Sequence, residues 1–169
     1  MEASKAFSAA VNEKLTLLEQ VKIQAQVLAP LLKAFRAELG EQRANEIARK
    51  ALWDWSQKLY RDIGAQINGT PRQKWQAMWD ALIKSVGNDI NFQMIKHDDK
   101  TYDFNIVGCR YADFFRQIGE PEIGTLLLCD MDLHFISEVA ASEVELSRTQ
   151  TIMKGAPYCD FRFKMNKAG

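Results

Sequence analysis

Apolar residues recur at three- and four-residue steps through the first half of the chain and at alternate positions through much of the second. Leu17, Val21, Leu28, Leu31, Leu32, Phe35 and Leu39 predict a helix over residues 13–39. Pro30 falls inside that pattern and predicts a kink or a split, because its ring removes a helical N–H and crowds the preceding turn. Gly40 suits the stop. A second helix carries Ala44, Ile47, Ala48, Ala51, Leu52, Trp55, Leu59 and Ile63 and ends at Gly64. Thr70-Pro71 opens a third, with Thr as cap and Pro at the first helical position. That helix carries Trp75, Met78, Trp79, Leu82 and Ile83 and ends near Gly87.

The second half changes period. Residues 92–97 and 102–107 flank the polar turn Asp98-Asp99-Lys100 and predict a β-hairpin. Helices are expected over 110–118, stopped by Gly119, and over 121–139, opened by Pro121. Strands follow over 144–152 and 158–165, with Lys154-Gly155-Ala156-Pro157 as the turn. In the last strand Cys159, Phe161, Phe163 and Met165 share one face, and Asp160, Arg162 and Lys164 the other. The order is helices, then β-β-α-α-β-β. It predicts an α+β fold with a four-stranded antiparallel sheet and helices on one face. We expect a single domain over 1–169, helical over 1–88 and α+β over 89–165, with fraying at Met1-Lys5 and Asn166-Gly169.

Composition narrows the classes. The 169 residues include 47% hydrophobic and 26% charged side chains, ordinary for a globular protein. Twenty-two basic residues balance 22 acidic ones, which argues against a nucleic-acid partner. No apolar run approaches the roughly 18 residues of a membrane span. The N-terminus lacks a basic segment followed by an apolar core, so no secretory signal is expected. Three widely spaced cysteines do not make a disulfide framework. A cytoplasmic location with reduced thiols is the expectation.

Those cysteines are the candidate chemistry. Cys109 follows a strand and precedes a helix, where free N–H groups and the neighbouring Arg110 would favour its thiolate. A small buried hydrophobe at a strand end is the competing reading. Cys129 and Asp132 lie three apart on one predicted helix, so a carboxylate can stand beside a thiol. Cys159 falls on the core face of its strand, while Asp160 and Arg162 can pair with each other or with Arg148. Cys109, Cys129 and Cys159 with Asp132 or His134 could also bind a metal tetrahedrally, although no close Cys-x-x-Cys or His-x-x-x-His pair is present. Trp53, Trp55, Trp75, Trp79, Tyr111, Phe114 and Phe115 are read as core packing or as the wall of an apolar pocket.

Several blocks are recognisable as they stand. They are Phe104-Asn105-Ile106-Val107-Gly108-Cys109-Arg110-Tyr111-Ala112-Asp113, Gly119-Glu120-Pro121-Glu122-Ile123-Gly124 and Cys129-Asp130-Met131-Asp132. The last is Arg148-Thr149-Gln150-Thr151-Ile152-Met153-Lys154-Gly155 with Cys159-Asp160-Phe161-Arg162. Together they resemble the L-2-amino-thiazoline-4-carboxylic acid hydrolase family. Leu28-Ala29-Pro30 and Ala37-Glu38-Leu39-Gly40-Glu41 extend the likeness over nearly the whole chain. Asp130-Met131-Asp132-Leu133-His134 and Glu138-Val139 depart from the family's pattern close to the expected pocket.

The resemblance implies a hydrolase acting on a C–N bond of a cyclic amidine or isothiourea, as in conversion of 2-amino-thiazoline-4-carboxylate to N-carbamoyl-L-cysteine. It brings Cys159, Cys109, Cys129, Asp132 and Asp160 forward as catalytic candidates, and Arg110, Arg162 and Tyr111 as substrate-binding ones. A thiolate from Cys159 or Cys109 can attack the amidine carbon. Alternatively, Asp132 or a cysteine-held divalent metal can activate water. No cofactor is expected, with a divalent metal the alternative. The expected partner is a small-molecule substrate, with no membrane partner, and homo-oligomerisation is open. The element order is also similar to small-molecule-binding domains of the vinyl-reductase and vesicle-tethering type, so a non-catalytic binding module is the second reading.

Overall fold

The computed structural model describes residues 15–166. Helix α1 (Leu17–Leu39) begins at Thr16, whose hydroxyl accepts the Glu19 N–H while the Glu19 carboxylate accepts the Thr16 N–H. This reciprocal pair satisfies two otherwise orphaned donors. The helix does not split at Pro30, one of the two outcomes the sequence allowed. Pro30 and Gln26, whose carbonyl loses its helical partner to the proline, both lie on the exposed side. One residue, Gly40 at φ 78°, turns the chain into α2 (Glu41–Ala65), and this left-handed value explains the glycine. Helix α3 (Pro71–Val86) starts with a second capping box, Thr70 with Gln73.

Strands β1 (Ile90–Asp98) and β2 (Thr101–Cys109) form the hairpin, each longer than expected by residues at both ends. Helix α4 (Arg110–Gln117) follows at once. The expected continuous helix over 121–139 is instead three pieces: a single turn at Pro121–Gly124, a wider π-type turn at Thr125–Cys129, and α5 (Met131–Val139). The π-type turn is closed by the Asp130 N–H donating to the Thr125 carbonyl at 2.9 Å. Such turns insert one extra residue and re-aim the side chains beyond them. Strand β3 (Val144–Ser147) is shorter than expected, and Ile152–Lys154 forms a 3₁₀ turn before β4 (Cys159–Met165).

The sheet order is β1-β2-β4-β3, antiparallel throughout. Phe104, Ile106, Phe161 and Phe163 are buried on the face where Trp75 and Trp79 of α3 pack. The rings of Phe104 and Phe161 stack at 4.9 Å. Helix α2 lies against α5 through Gly64, where a Cβ would sit 3.3 Å from a Val139 methyl. The buried residues of α2 are small ones, Ala44, Ser56 and Gly64, so Trp53 and Trp55 do not take the core-packing alternative that Trp75 and Trp79 do. Trp53 and Trp55 are exposed, and α2 packs closely through its small residues instead. Asn166, expected to fray, is held by its N–H on the Glu143 carbonyl and its amide on Glu145. Met1-Lys5 and residues 167–169 lie outside the described residues. Among the described residues no helix is long and apolar enough to cross a membrane.

Candidate active site

Cys109 is both the last residue of β2 and the N-cap of α4. Its sulfur accepts the Ala112 N–H at 3.4 Å, as the strand-to-helix junction predicts. The expected thiolate does not follow. Burial pushes the Cys109 thiol up, and the charges of Asp113 and Asp132 add to the rise, against the helix N–H groups of Ala112 and Tyr111. Arg110, which was expected to help, turns away to Asp89 at 2.7 Å and is largely exposed. Proximity in sequence therefore did not bring its cation to the sulfur.

Cys129 ends the π-type turn, and Asp132 sits in the first turn of α5. Arg148, just past β3, joins them. Its Nη1 pairs with the Asp132 carboxylate and its Nη2 donates to the Cys129 carbonyl at 2.7 Å. The guanidinium lies over the Phe161 ring, 5.2 Å from its centroid, and only 7% of the side chain is exposed. Stacking, charge and two directed bonds together fix this arginine in a way a lysine would not reproduce.

Asp132 keeps 37% of its side chain open to solvent. Burial raises its pKa above the ordinary carboxylate value, with Arg148 pulling the other way and Asp130 adding to the rise. Burial also pushes the Cys129 thiol up, reinforced by Asp132. Cys159 is buried, and its sulfur accepts the Ile152 N–H at 3.2 Å. Burial pushes its thiol up to about 11. All three thiols therefore hold their protons at neutral pH. The charge of Asp132 acts on each of them, and that of Arg148 on Cys129 and Cys159. Cys129 and Cys159 thus share the charges of Asp132 and Arg148, and Cys109 feels that of Asp132.

Two aromatic hydroxyls border this group. Tyr60 of α2 is pushed up to about 12 by burial and by the Asp132 charge. Tyr111 is buried, its hydroxyl has no hydrogen-bond partner among the described residues, and burial with the charges of Asp89 and Cys109 pushes it up to about 12. A buried hydroxyl left unpaired is costly unless a ligand supplies its partner.

The remaining candidates are placed elsewhere. Asp160 accepts the Thr149 N–H at 3.0 Å, the Thr149 hydroxyl at 2.6 Å and the Gln150 N–H at 2.8 Å. Burial opposes its ionisation, but these bonds outweigh it and hold the carboxyl below the usual range. Arg162 donates to the Phe104 and Phe161 carbonyls, both at 2.8 Å, and to the Asn105 side chain at 2.9 Å. Neither forms the pairings expected along the strand, because closer backbone and side-chain partners are available. The side chain of His134 lies outside the described residues. Among the described residues no three His, Cys, Asp or Glu side chains are arranged to hold a metal ion.

Arg148 and Tyr60 are the neighbours of Asp132 that sequence reasoning did not place there. Arg148 opens a matched block, so a signal was present, but it was read only as a strand-pairing charge. Tyr60 carries no such signal. A separate open cleft of about 630 Å³ lies alongside, lined by residues including Arg49, Arg116, Thr125, Leu126, Met153 and Lys154. None of the three cysteines, Asp132 or Arg148 lines it.

An α+β scaffold holding a buried thiol, carboxylate and guanidinium group is therefore the class of protein that fold and site define. The family model of L-2-amino-thiazoline-4-carboxylic acid hydrolases matches residues 20–163, and the chain belongs to that family. No curated protein matches the sequence. Among solved structures, the phenol-responsive sensory domain of the transcription activator PoxR with phenol is similar at 14% identity. The alignment covers 82% of this chain and 72% of that one, with a TM-score of 0.46.

Proposed function

We propose that the protein hydrolyses a small cyclic amidine or isothiourea that carries a carboxylate, of the 2-amino-thiazoline-4-carboxylate type. The observation that supports this reading most is the Asp132–Arg148 pair set among three protonated thiols. An amidinium placed against Asp132 gains a counter-charge from a partly buried carboxylate. Its positive charge also lowers the cost of deprotonating a neighbouring thiol.

In the thiol route, Cys109 Sγ bonds to C2 of the ring while its proton passes to Asp132. The helix N–H that already contacts Sγ favours the thiolate as it forms. Collapse of the adduct breaks the C2–S bond, and the ring sulfur leaves with the proton from Asp132. Water then adds to C2, the bond to Cys109 breaks, and the sulfur of Cys109 recovers a proton. The product is a urea that keeps both nitrogens on C2, the N-carbamoyl-cysteine pattern. The bond broken in reaching that product is C–S, not the C–N bond that the sequence reading named. Tyr111 supplies a free hydroxyl for the substrate. Arg148 is engaged as fully as Arg110 and Arg162, so its role is to hold the Asp132 carboxylate in place beside the thiols.

The test is to incubate the purified protein with a panel of cyclic amidines and isothioureas. Ring opening is followed by mass spectrometry and by the new free thiol. Turnover that disappears in Cys109→Ser and Asp132→Asn, with both variants folded, is the expected result. Absence of turnover across the panel would overturn the proposal. Full activity of both Cys109→Ser and Cys159→Ser would transfer the attack to water activated by Asp132.

A further inference from the structure

One face of α1 is apolar and turned to solvent. Ile23, Val27, Leu31, Phe35 and Leu39 follow one another at four-residue steps and are 50%, 66%, 47%, 43% and 50% exposed. Such a row is a continuous ridge on a helix surface. Around it stand the uncharged residues Gln24, Gln26, Pro30, Ala34 and Ala37, all exposed. The helix's three cations are each engaged within the chain. Lys22 lies 5.7 Å over the Phe114 ring, Lys33 pairs with Glu120, and Arg36 holds Asn45 and Glu122. Depletion of free charge around exposed large hydrophobes is the composition of an interface centre.

We infer that this ridge is the interface between two copies of the chain, related by a two-fold axis at Leu31. The pattern is self-complementary. Read antiparallel about Leu31, Ile23 falls opposite Leu39, Val27 opposite Phe35, and Leu31 opposite itself, as an isologous contact requires. Glu38, the charge beside the outer end of the ridge, falls opposite Gln24, whose amide can donate to it. Four-spaced ridges of two helices interdigitate at a crossing angle of about −50°, which centres the contact on Val27, Leu31 and Phe35. The five side chains expose roughly 400–500 Å², about half of what each partner contributes to a standard interface before flanking atoms are counted.

The test is sedimentation velocity of the full chain over a wide concentration range, beside Leu31→Glu and Val27→Glu. A dimer that becomes monomeric in both variants, with unchanged circular dichroism and melting temperature, is expected. Leu31→Cys copies should then cross-link to each other on mild oxidation, and Ala37→Cys copies, away from the axis, should not. A chain monomeric at every concentration, or a dimer that persists in Leu31→Glu, overturns the inference. So does a monomer in which residues 1–14 are what protects α1 from hydrogen exchange, because the occupant would then be that segment.

Discussion

Arg148 bridges the Asp132 carboxylate and the Cys129 carbonyl with two nitrogens of one guanidinium. This ties the first turn of α5 to the end of the π-type turn. Replacing it by Ala leaves a partly buried carboxylate without its counter-charge. A fully buried pair broken in this way costs about 3–5 kcal/mol, and the solvent at Asp132 reduces that to about 1–3 kcal/mol. Arg148→Lys should recover only part of the loss, since it cannot serve both acceptors and stack on Phe161. Chemical denaturation of both variants measures the difference.

The two acids of the matched blocks should respond oppositely to pH. Asp160 has a folded pKa below its unfolded value. Its contribution is present above the ordinary carboxylate range and is lost as pH falls through the lowered value. Asp132 has a folded pKa above its unfolded one. Its protonated form favours the fold, and stability falls as pH rises from the ordinary carboxylate value through the raised one. Unfolding free energies across the acidic range should therefore lose their low-pH decline in Asp160→Asn and lose the opposite slope in Asp132→Asn. Matching profiles for the two variants would contradict the assignment.

Thiol chemistry gives a direct measure of the site's electrostatics. Burial raises the pKa of all three cysteines, with Cys159 pushed up to about 11. Alkylation by iodoacetamide should be slower in the folded protein than in the unfolded chain at neutral pH, and should climb only in alkali. A single cysteine reacting rapidly at neutral pH would show a thiolate where the fold puts a thiol. Binding of a cyclic amidinium should accelerate the reaction at Cys109 before it blocks access.

The helical half and the hairpin were legible in the sequence because their apolar periods are long and their caps are explicit, as at Thr70-Pro71 and Gly40. The matched blocks also singled out the three cysteines and Asp132 as candidates. Electrostatic sign was not legible. Arg110 sits next to Cys109 in sequence, but Asp89, which lies 2.7 Å from its guanidinium, comes from the turn before β1. Only the fold reveals that competitor. Similarly, a regular helical period over 121–139 conceals the π-type turn, because one inserted residue barely alters apolar spacing. The use of Arg148 on Asp132, rather than along the strand, depends on where that turn delivers the acid.

Gly124 is where the turn is most vulnerable. A Cβ there would stand 2.6 Å from the Phe115 ring and 2.7 Å from the Met153 sulfur. Phe115 is fully buried, so its ring has little room to move, while the Met153 side chain can bend. Gly124→Ala should therefore destabilise the protein by about 1–3 kcal/mol through overpacking. Because Gly124 immediately precedes the turn that ends at Cys129, relaxation there should also displace that residue's carbonyl from Arg148. The prediction is a loss of turnover larger than the fraction unfolded explains, read from activity and thermal melting of the same sample. Adding Phe115→Leu should relieve the clash and restore much of the activity. If the double variant stays folded but inactive, the defect does not originate in the overlap with the ring.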